Sequence, residues 1–226
     1  MSLTGSSLIF KFGELAHLRA LQRGAVYMKP WTYFSAAEKD AERDSNEGTH
    51  VWFNPAQTKI EIAGHEFTSA GGTLSLSLKF PDTRTKVFCA SKACRENCKL
   101  TGPIFENRMA KHGAHLLVIT DVKSFGAQLV AALTSSQEKK EIGRFGERRV
   151  IYFDQDSYDG PVCPFLKASQ FAFEKEWRLV VLTANESDQP FTLEIGSIEG
   201  SSILMETKDF KNKVECRSDG SVNLDF

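Results

Sequence analysis

The sequence predicts an α+β protein with a central mixed or mostly antiparallel sheet and few helices. Short segments with the period-two alternation of strands outnumber segments with helical spacing. Strands and helices do not alternate in the βαβ order that builds a parallel sheet, and no repeat recurs at a fixed period. No linker or low-complexity segment divides the 226 residues. We therefore expect one domain over residues 8–226, preceded by a flexible lead-in over residues 1–7.

The first half of the chain is predicted to be mostly strands. A helix is expected over residues 14–23, where leucines recur at helical spacing and Gly24 marks the end. Polar residues 36–50 predict a helical turn followed by a surface loop. The strands are expected over residues 8–12, 25–35, 51–53, 59–62, 66–68, 74–80 and 86–91.

The second half carries the longest predicted helix, over residues 122–134, with Asp121 as its N-cap. A shorter helical segment is expected over residues 104–112. The basic run of Lys139, Lys140, Arg144, Arg148 and Arg149 predicts a solvated helix face, and the alternative is a phosphate-binding patch centred on Arg148 and Arg149. The strands are expected over residues 115–120, 149–154, 170–183, 191–195 and 203–206, with a closing hairpin over 215–225.

Composition excludes several classes of protein. The net charge of −1 creates no global field for nucleic acid or a membrane surface. No apolar run approaches the roughly 18 residues that a membrane span needs, and no secretion signal pattern opens the chain. Five cysteines, an odd number, favour free thiols in a reducing compartment. We therefore expect a cytoplasmic protein.

Familiar catalytic and metal-binding motifs are absent from the sequence. There is no Walker A loop, GxGxxG, HExxH or GxSxG, which argues against a kinase or a P-loop ATPase. Cys89, Cys94 and Cys98 are spaced C-x4-C-x3-C, wider than the CxxC pairs of structural zinc sites, so no metal site is predicted. We expect Cys89 to point into the core. His112 and His115, on either side of Gly113, are typical of a solvated helix end.

The most informative segment is residues 170–183, which alternates like a strand but carries charges where a buried strand carries none. One face is aromatic and aliphatic. The other places Glu174, Glu176 and Arg178 between apolar residues, so this face should open onto a cleft. Carboxylates held by a guanidinium are typical of a functional site, in which Arg178 would bind substrate or cofactor. The alternative is a structural Glu–Arg pair across the sheet.

A second candidate region is the acidic loop over residues 40–47, which follows the aromatic segment Trp31–Ser35. Its candidate functional residues are Asp44 and Glu47. Loops on rigid strands often carry function, and the alternative is an ordinary surface loop.

Four groups of segments resemble the DUF2971-type family of uncharacterised bacterial and phage proteins. They are Phe10–Phe12 with Gly24–Tyr27; Trp31–Ser35 with the acidic loop; Val87–Ser91 leading to Asn107–Gly113; and Val150–Tyr152 with Lys167 and Phe173–Arg178. The last group matches the family's aromatic-x-x-E-aromatic-R pattern. The acidic loop departs from the family, because Arg43–Glu47 stands where Phe-Asn-Asp-Pro is usual. The resemblance implies a fold more than an activity.

The order of elements also resembles small ADP-ribosyltransferase-type folds, with a late strand that carries Glu-x-Glu. The resemblance implies that Glu176 orients a nicotinamide ribose and stabilises an oxocarbenium-like transition state. It implies that Glu174 activates the acceptor, that Ser91 supports the glutamate, and that Tyr33 stacks near the nicotinamide. Lys11 stands in the first strand, where such enzymes offer Arg or His to the cofactor.

The sequence is compatible with three classes of function. The first is an NAD-dependent ADP-ribosyltransferase or NAD glycohydrolase, with NAD as candidate co-substrate and a nucleotide or protein as acceptor. The second is a non-enzymatic protein-interaction domain in phage–host conflict, which would use the acidic loop and the aromatic segment. The third is a metal-dependent hydrolase or nuclease with Asp44, Glu47, Glu174 and Glu176 as ligands.

Overall fold

The structure, a computed structural model, describes residues 2–3, 7–35, 46–54, 60–62, 64–67, 76–79, 82–94, 101–210, 213–216 and 222–224. In the first part of the chain the elements are β1 (Ser2–Leu3), β2 (Ser7–Gly13), α1 (Leu15–Gln22), β3 (Ala25–Pro30), β4 (Thr49–Phe53), β5 (Ile60–Ile62), β6 (His65–Phe67), β7 (Leu76–Lys79), β8 (Thr85–Cys94) and β9 (Thr101–Pro103). In the second part they are β10 (His115–Ile119), α2 (Val122–Glu138), β11 (Ile142–Arg149), β12 (Ile151–Phe153), β13 (Gly160–Pro161), β14 (Leu166–Ala168), β15 (Glu176–Thr183), β16 (Phe191–Glu194), β17 (Ser202–Glu206), β18 (Lys213–Cys216) and β19 (Val222–Leu224). Short 3-10 helices cover Trp31–Ser35, Asn107–His112, Ser169–Glu174, Glu199–Ser201 and Thr207–Asp209.

The central sheet has the strand order β11-β15-β8-β2-β10-β17, and all of these neighbours are antiparallel. β3 joins the same sheet by pairing with β8, and β16 pairs with β3. The prediction of an α+β fold with a mostly antiparallel sheet is confirmed. No helix within the described ranges is long and apolar enough to span a membrane.

The two faces of the sheet pack into separate cores because the side chains of each strand alternate. In β10, Leu117 and Ile119 face α1 and α2, while Leu116 and Val118 face the aromatic cluster around Phe105. Leu116–Ile119 of β10 is therefore buried on both faces, which explains why this segment is uninterruptedly apolar.

Helix α1 lies within the predicted residues 14–23, whereas α2 begins at Val122 as predicted and extends to Glu138, beyond its predicted end at residue 134. The Asp121 carboxylate accepts a hydrogen bond of 2.9 Å from the Ser124 amide at the start of α2. Gly24 follows α1 with φ +109°, and a Cβ there would lie 2.3 Å from the carbonyl oxygen of Gly196. A residue with a side chain at position 24 would therefore strain the turn and collide with the neighbouring backbone.

Strand β8 shares one edge between two partners. Ser7–Phe10 of β2 pairs with residues 91–94, whereas Lys29–Pro30 of β3 pairs with residues 86–87. Among the described residues, no strand pairs with residues 88–90 at this edge. The sheet is therefore split between β2 and β3.

Several local predictions were wrong. Residues 170–174 belong to a 3-10 helix, and the strand begins only at Glu176, because Lys175 adopts a left-handed conformation with φ 48°. The strand expected over 25–35 ends at Pro30. The basic run from Lys139 to Arg149 is not a helix face, because α2 ends at Glu138 and Ile142–Arg149 forms an edge strand.

Predictions for the lead-in and for Cys89 also need correction. Ser2 and Leu3, assigned to a flexible lead-in, pair with β19. Cys89 is half-buried and lines the cleft described below, because its strand faces that cleft at the split.

Candidate functional site

A cleft of about 760 Å³ lies over the split in the sheet. It brings together residues from the 3-10 helices and from strands that are distant in sequence. The predicted site residues that line it are Lys11, Tyr33, Glu47, Ser91, Glu174, Glu176 and Arg178. Asp44 lies outside the described residues.

Arg178 is the most deeply buried charged residue of the site, with 1% of its surface exposed. Its Nε and Nη2 donate to Glu176 at 2.9 and 3.1 Å, and its Nη1 and Nη2 donate to the carboxylate of Glu47. The carbonyl oxygen of Pro164 accepts a further bond of 2.6 Å from Nη1. One guanidinium thus joins two carboxylates, an arrangement that suits its rigid fork of donors.

Lys167, on β14, connects the two glutamates of the Glu-x-Glu segment. Its ammonium donates to Glu174 Oε2 at 2.7 Å and to Glu176 Oε2 at 3.1 Å. The side chain is 10% exposed, and its Nζ lies 4.7 Å from the centroid of the Phe171 ring. The two carboxylates therefore share one buried cation.

The left-handed residue between the two glutamates places them together. Lys175 ends the 3-10 helix that carries Glu174, and β15 begins with Glu176. The Lys175 ammonium donates to the carbonyl oxygen of Ile104 at 2.5 Å, and its own carbonyl accepts from the Lys92 amide at 2.9 Å. These bonds hold a backbone conformation that non-glycine residues seldom adopt.

The formal charges explain why the two glutamates differ. The ion-paired cluster of Glu47, Glu174, Glu176, Lys167 and Arg178 has three carboxylates and two cations, so ionisation of Glu174 leaves it one negative charge in excess. Burial, and the neighbouring Glu176, raise the pKa of Glu174 to about 7, although Lys167 opposes them. At Glu176 burial acts in the same direction, but Arg178 and Lys167 outweigh it and hold its pKa well below its usual range.

Further contacts hold the ionic cluster in place. The Trp31 indole donates to Glu47 Oε2 at 2.5 Å, and the Glu176 amide donates to the Tyr152 hydroxyl at 2.8 Å. Burial raises the pKa of the Cys89 thiol, which hydrogen bonds to Glu176, so it is protonated at neutral pH. The site is thus preorganised by neutral donors as well as by charges.

Sequence reasoning missed two residues of the site. Lys167 was named only as part of a family resemblance, and no spacing pattern assigned it a partner. His112 was interpreted as a solvated helix end, but its Nε2 lies 3.7 Å from Glu174 Oε1 in the cleft. The sequence of Asn107–Gly113 predicted the end of a helix, but it did not predict that this end lies at the cleft beside Glu174.

Lys11, Ser91 and Tyr33 occupy different parts of the cleft. Lys11 Nζ donates to the carbonyl oxygen of Cys89 at 2.6 Å, within the split. Ser91 is buried directly opposite Glu176 in the antiparallel register. Tyr33 is 39% exposed, and its ring lies 3.7 Å from Lys29 Nζ.

The arrangement bears on two alternatives raised by the sequence. The direct partners of Arg178 are Glu47 and Glu176, whereas Glu174 pairs with Lys167, so the expected cross-strand pair is replaced by a larger network. Within the described ranges, no group of three or more His, Cys, Asp or Glu side chains is placed to hold a metal ion.

Comparisons of the chain with protein-family models, with curated proteins and with solved structures found no match. The resemblances to the DUF2971-type and ADP-ribosyltransferase-type families therefore stay predictions, as do the roles that they imply for individual residues.

Proposed function

We propose that the cleft is an enzyme active site in which Glu174 exchanges a proton and Glu176 serves as a fixed anion. The observation that carries this proposal is the pair of carboxylates bridged by Lys167, one with a pKa raised to about 7 and the other with a lowered pKa. Two carboxyl groups whose environments drive their pKa values apart are the usual basis of acid–base chemistry at neutral pH.

The reaction class that fits this pair is transfer or hydrolysis of a ribosyl group, with NAD as candidate co-substrate. The glycosidic C–N bond would break and release neutral nicotinamide. The anion of Glu176 would stabilise the positive charge that develops on the ribosyl group. Ionised Glu174 would accept the proton of the attacking hydroxyl as the new C–O bond forms. His112, 3.7 Å away, is placed to pass that proton to solvent.

The site favours this reading over a metal-dependent hydrolase. The Glu47 and Glu176 carboxylates are already neutralised by buried Arg178, and Lys167 bridges Glu174 to Glu176. A magnesium ion would have to compete with these cations for the same oxygens, although Mg²⁺ normally binds carboxylates that are open to it.

A protein-interaction domain is the second candidate, because two aromatic side chains at the cleft are unusually exposed. Tyr27 and Tyr33 are 46% and 39% exposed, and tyrosines of this kind are common in protein interfaces. Such a domain would keep its partner in Glu176→Gln and lose it in Tyr27→Ser.

The test is NAD consumption and release of nicotinamide by wild type, Glu174→Gln and Glu176→Gln. We expect Glu176→Gln to lower kcat by at least about 100-fold, the usual loss when one electrostatic stabiliser of a transition state is removed. Glu174→Gln should also be slow and should lose the rise in rate that wild type shows as pH increases through 7.

Glu199→Gln is the matched control, because Glu199 is exposed on a 3-10 helix and lies outside the cleft. It should behave like wild type, and circular dichroism should show all three variants folded. Wild-type turnover by folded Glu176→Gln would refute the assigned roles. Absence of turnover by wild type would reject NAD and favour the interaction domain.

A further inference from the structure

The split in the sheet opens the cleft to both faces of β2 and β8. In β8, Cys89 and Ser91 share the face of Glu176, whereas Phe88 and Ala90 belong to the core beneath α1 and α2. All four residues line the same cleft. Side chains from both faces of one strand can line one cavity only where the edge of that strand is open. Residues 88–90 are the segment of β8 that lies between the pairings with β2 and β3.

The cleft therefore has two differently composed parts. The charged compartment contains Glu47, Glu174, Glu176, Arg178 and Lys167. What we term the apolar compartment is lined by residues from α1, the start of β3 and the helix-facing side of β8, namely Leu18, Leu21, Ala25, Phe88 and Ala90. Burial of hydrocarbon in such a compartment is favourable because it removes apolar surface from water.

Lys11 stands at the boundary between the compartments. Its alternation along β2 places it on the same face as Ile9, which packs in the helix-facing core. Its ammonium bonds to the Cys89 carbonyl within the split and lies 5.1 Å from the centroid of the Phe88 ring. A second ammonium, that of Lys29, also lines the cleft. Lys11 therefore brings a positive charge to the boundary of the apolar compartment, and the carboxylate of Glu14 also lines the cleft.

We propose that the ligand of this cleft is an organic anion with an apolar group, which inserts through the split while its anionic group lies beside Lys11. A phosphate ester with a short alkyl or aryl group has this chemistry. The inference goes beyond the proposed function, because binding in the apolar compartment requires neither NAD nor a reaction of the carboxylate pair.

The test is calorimetric titration of wild type with ethyl, butyl and hexyl phosphate at pH 7, with hexanol as the uncharged probe. Each methylene added should tighten the Kd about fourfold as it enters the apolar compartment. Hexyl phosphate should bind at least about tenfold more tightly than hexanol, because one charge-assisted contact contributes a difference of that size.

Substitutions can distinguish the contribution of the apolar compartment to binding from the contribution of the Lys11 charge. Ala25→Leu should fill part of the compartment and abolish the gain between butyl and hexyl phosphate, while Ala131→Leu, on the exposed face of α2, should not. Ala90→Leu is a second filling variant on the other wall. Lys11→Met should weaken hexyl phosphate about tenfold and leave hexanol unchanged, and Lys123→Met is its exposed control.

The proposal is overturned if wild type binds none of the phosphates, or if affinity does not rise with chain length. It is equally overturned if both filling variants keep the full gain or if Lys11→Met binds hexyl phosphate as wild type does. Chain-length-dependent binding without any NAD turnover would support this inference while rejecting the proposed function, so the two failures are distinguishable.

Discussion

Protonation of Glu174 should make the stability of the protein depend on pH between about 4.5 and 7. Glu174 is 7% exposed, and its pKa is raised from 4.5 to about 7 by burial and by Glu176. A raised pKa means that the folded state binds the proton more tightly than the unfolded state. The resulting stabilisation is fully present below pH 4.5 and is lost as the pH rises through 7.

The magnitude follows from the size of the shift. A change from 4.5 to about 7 corresponds to about 3 kcal/mol of unfolding free energy, at 1.36 kcal/mol per pKa unit. Glu176 acts in the opposite sense, because its lowered pKa gives stability that is present above pH 4.5 and lost as the pH falls through its folded pKa. Glu176 therefore changes little between pH 5 and pH 8, where Glu174 titrates.

The assay is urea unfolding of wild type and Glu174→Gln at pH 5 and at pH 8. Wild type should lose roughly 2 kcal/mol relative to Glu174→Gln between these pH values, because glutamine does not titrate and the other groups are common to both proteins. Glu199→Gln should follow wild type at both pH values. A difference between wild type and Glu174→Gln that stays constant from pH 5 to pH 8 would refute the reasoning from the uncompensated charge.

Three further substitutions test the contacts that hold the site. Arg178→Met should lower the unfolding free energy, measured in urea, by about 3–5 kcal/mol, because it leaves two buried carboxylates without their guanidinium. As a control, substitution of the exposed Arg108 by Met should cost less than about 1 kcal/mol. Similar losses in both variants would contradict the network. Lys175→Val should be about 1–2 kcal/mol less stable than Lys175→Gly, since glycine adopts φ 48° without the strain that a β-branched residue has there. Equal stability of the two variants would exclude backbone strain at this position. Trp31→Phe should cost about 1–3 kcal/mol by removing the indole donor to buried Glu47, and a wild-type urea midpoint would show that this bond contributes nothing.

The elements that could be predicted are those in which the spacing of apolar residues or a capping residue indicates the structure. Of the segment predicted at 115–120, Leu116–Ile119 is buried on both faces in β10. Leucine spacing identified α1, and the Asp121 cap identified the start of α2. The edge strand Ile142–Arg149 was missed because five of its eight residues are exposed, so no alternating pattern appears. This strand is held by antiparallel pairing with β15. Backbone hydrogen bonds of this kind do not require particular side chains, so the residue types did not predict the strand.

The site was only partly accessible from the sequence for a similar reason. Glu174, Glu176 and Arg178 were recognisable because charges interrupt an apolar segment. Lys167 and Glu47 were harder to place, since each acts through a contact with residues elsewhere in the chain, and Glu47 lies 131 positions from Arg178. Such ion pairs form only when the chain folds, and the residues around one partner do not indicate which residue the other partner is.

The sequence by itself determined the fold class, the two α-helices and the charged segment that became the floor of the cleft, because these depend on local periodicity and on capping residues. Only the tertiary structure decided which cations meet Glu174 and Glu176, and therefore which of the two carboxyl groups holds a proton near neutral pH. It also decided where the sheet splits, because the shared edge of β8 depends on how β2 and β3 pair with it. Burial and long-range pairing set both outcomes, and neither is a property of a sequence window.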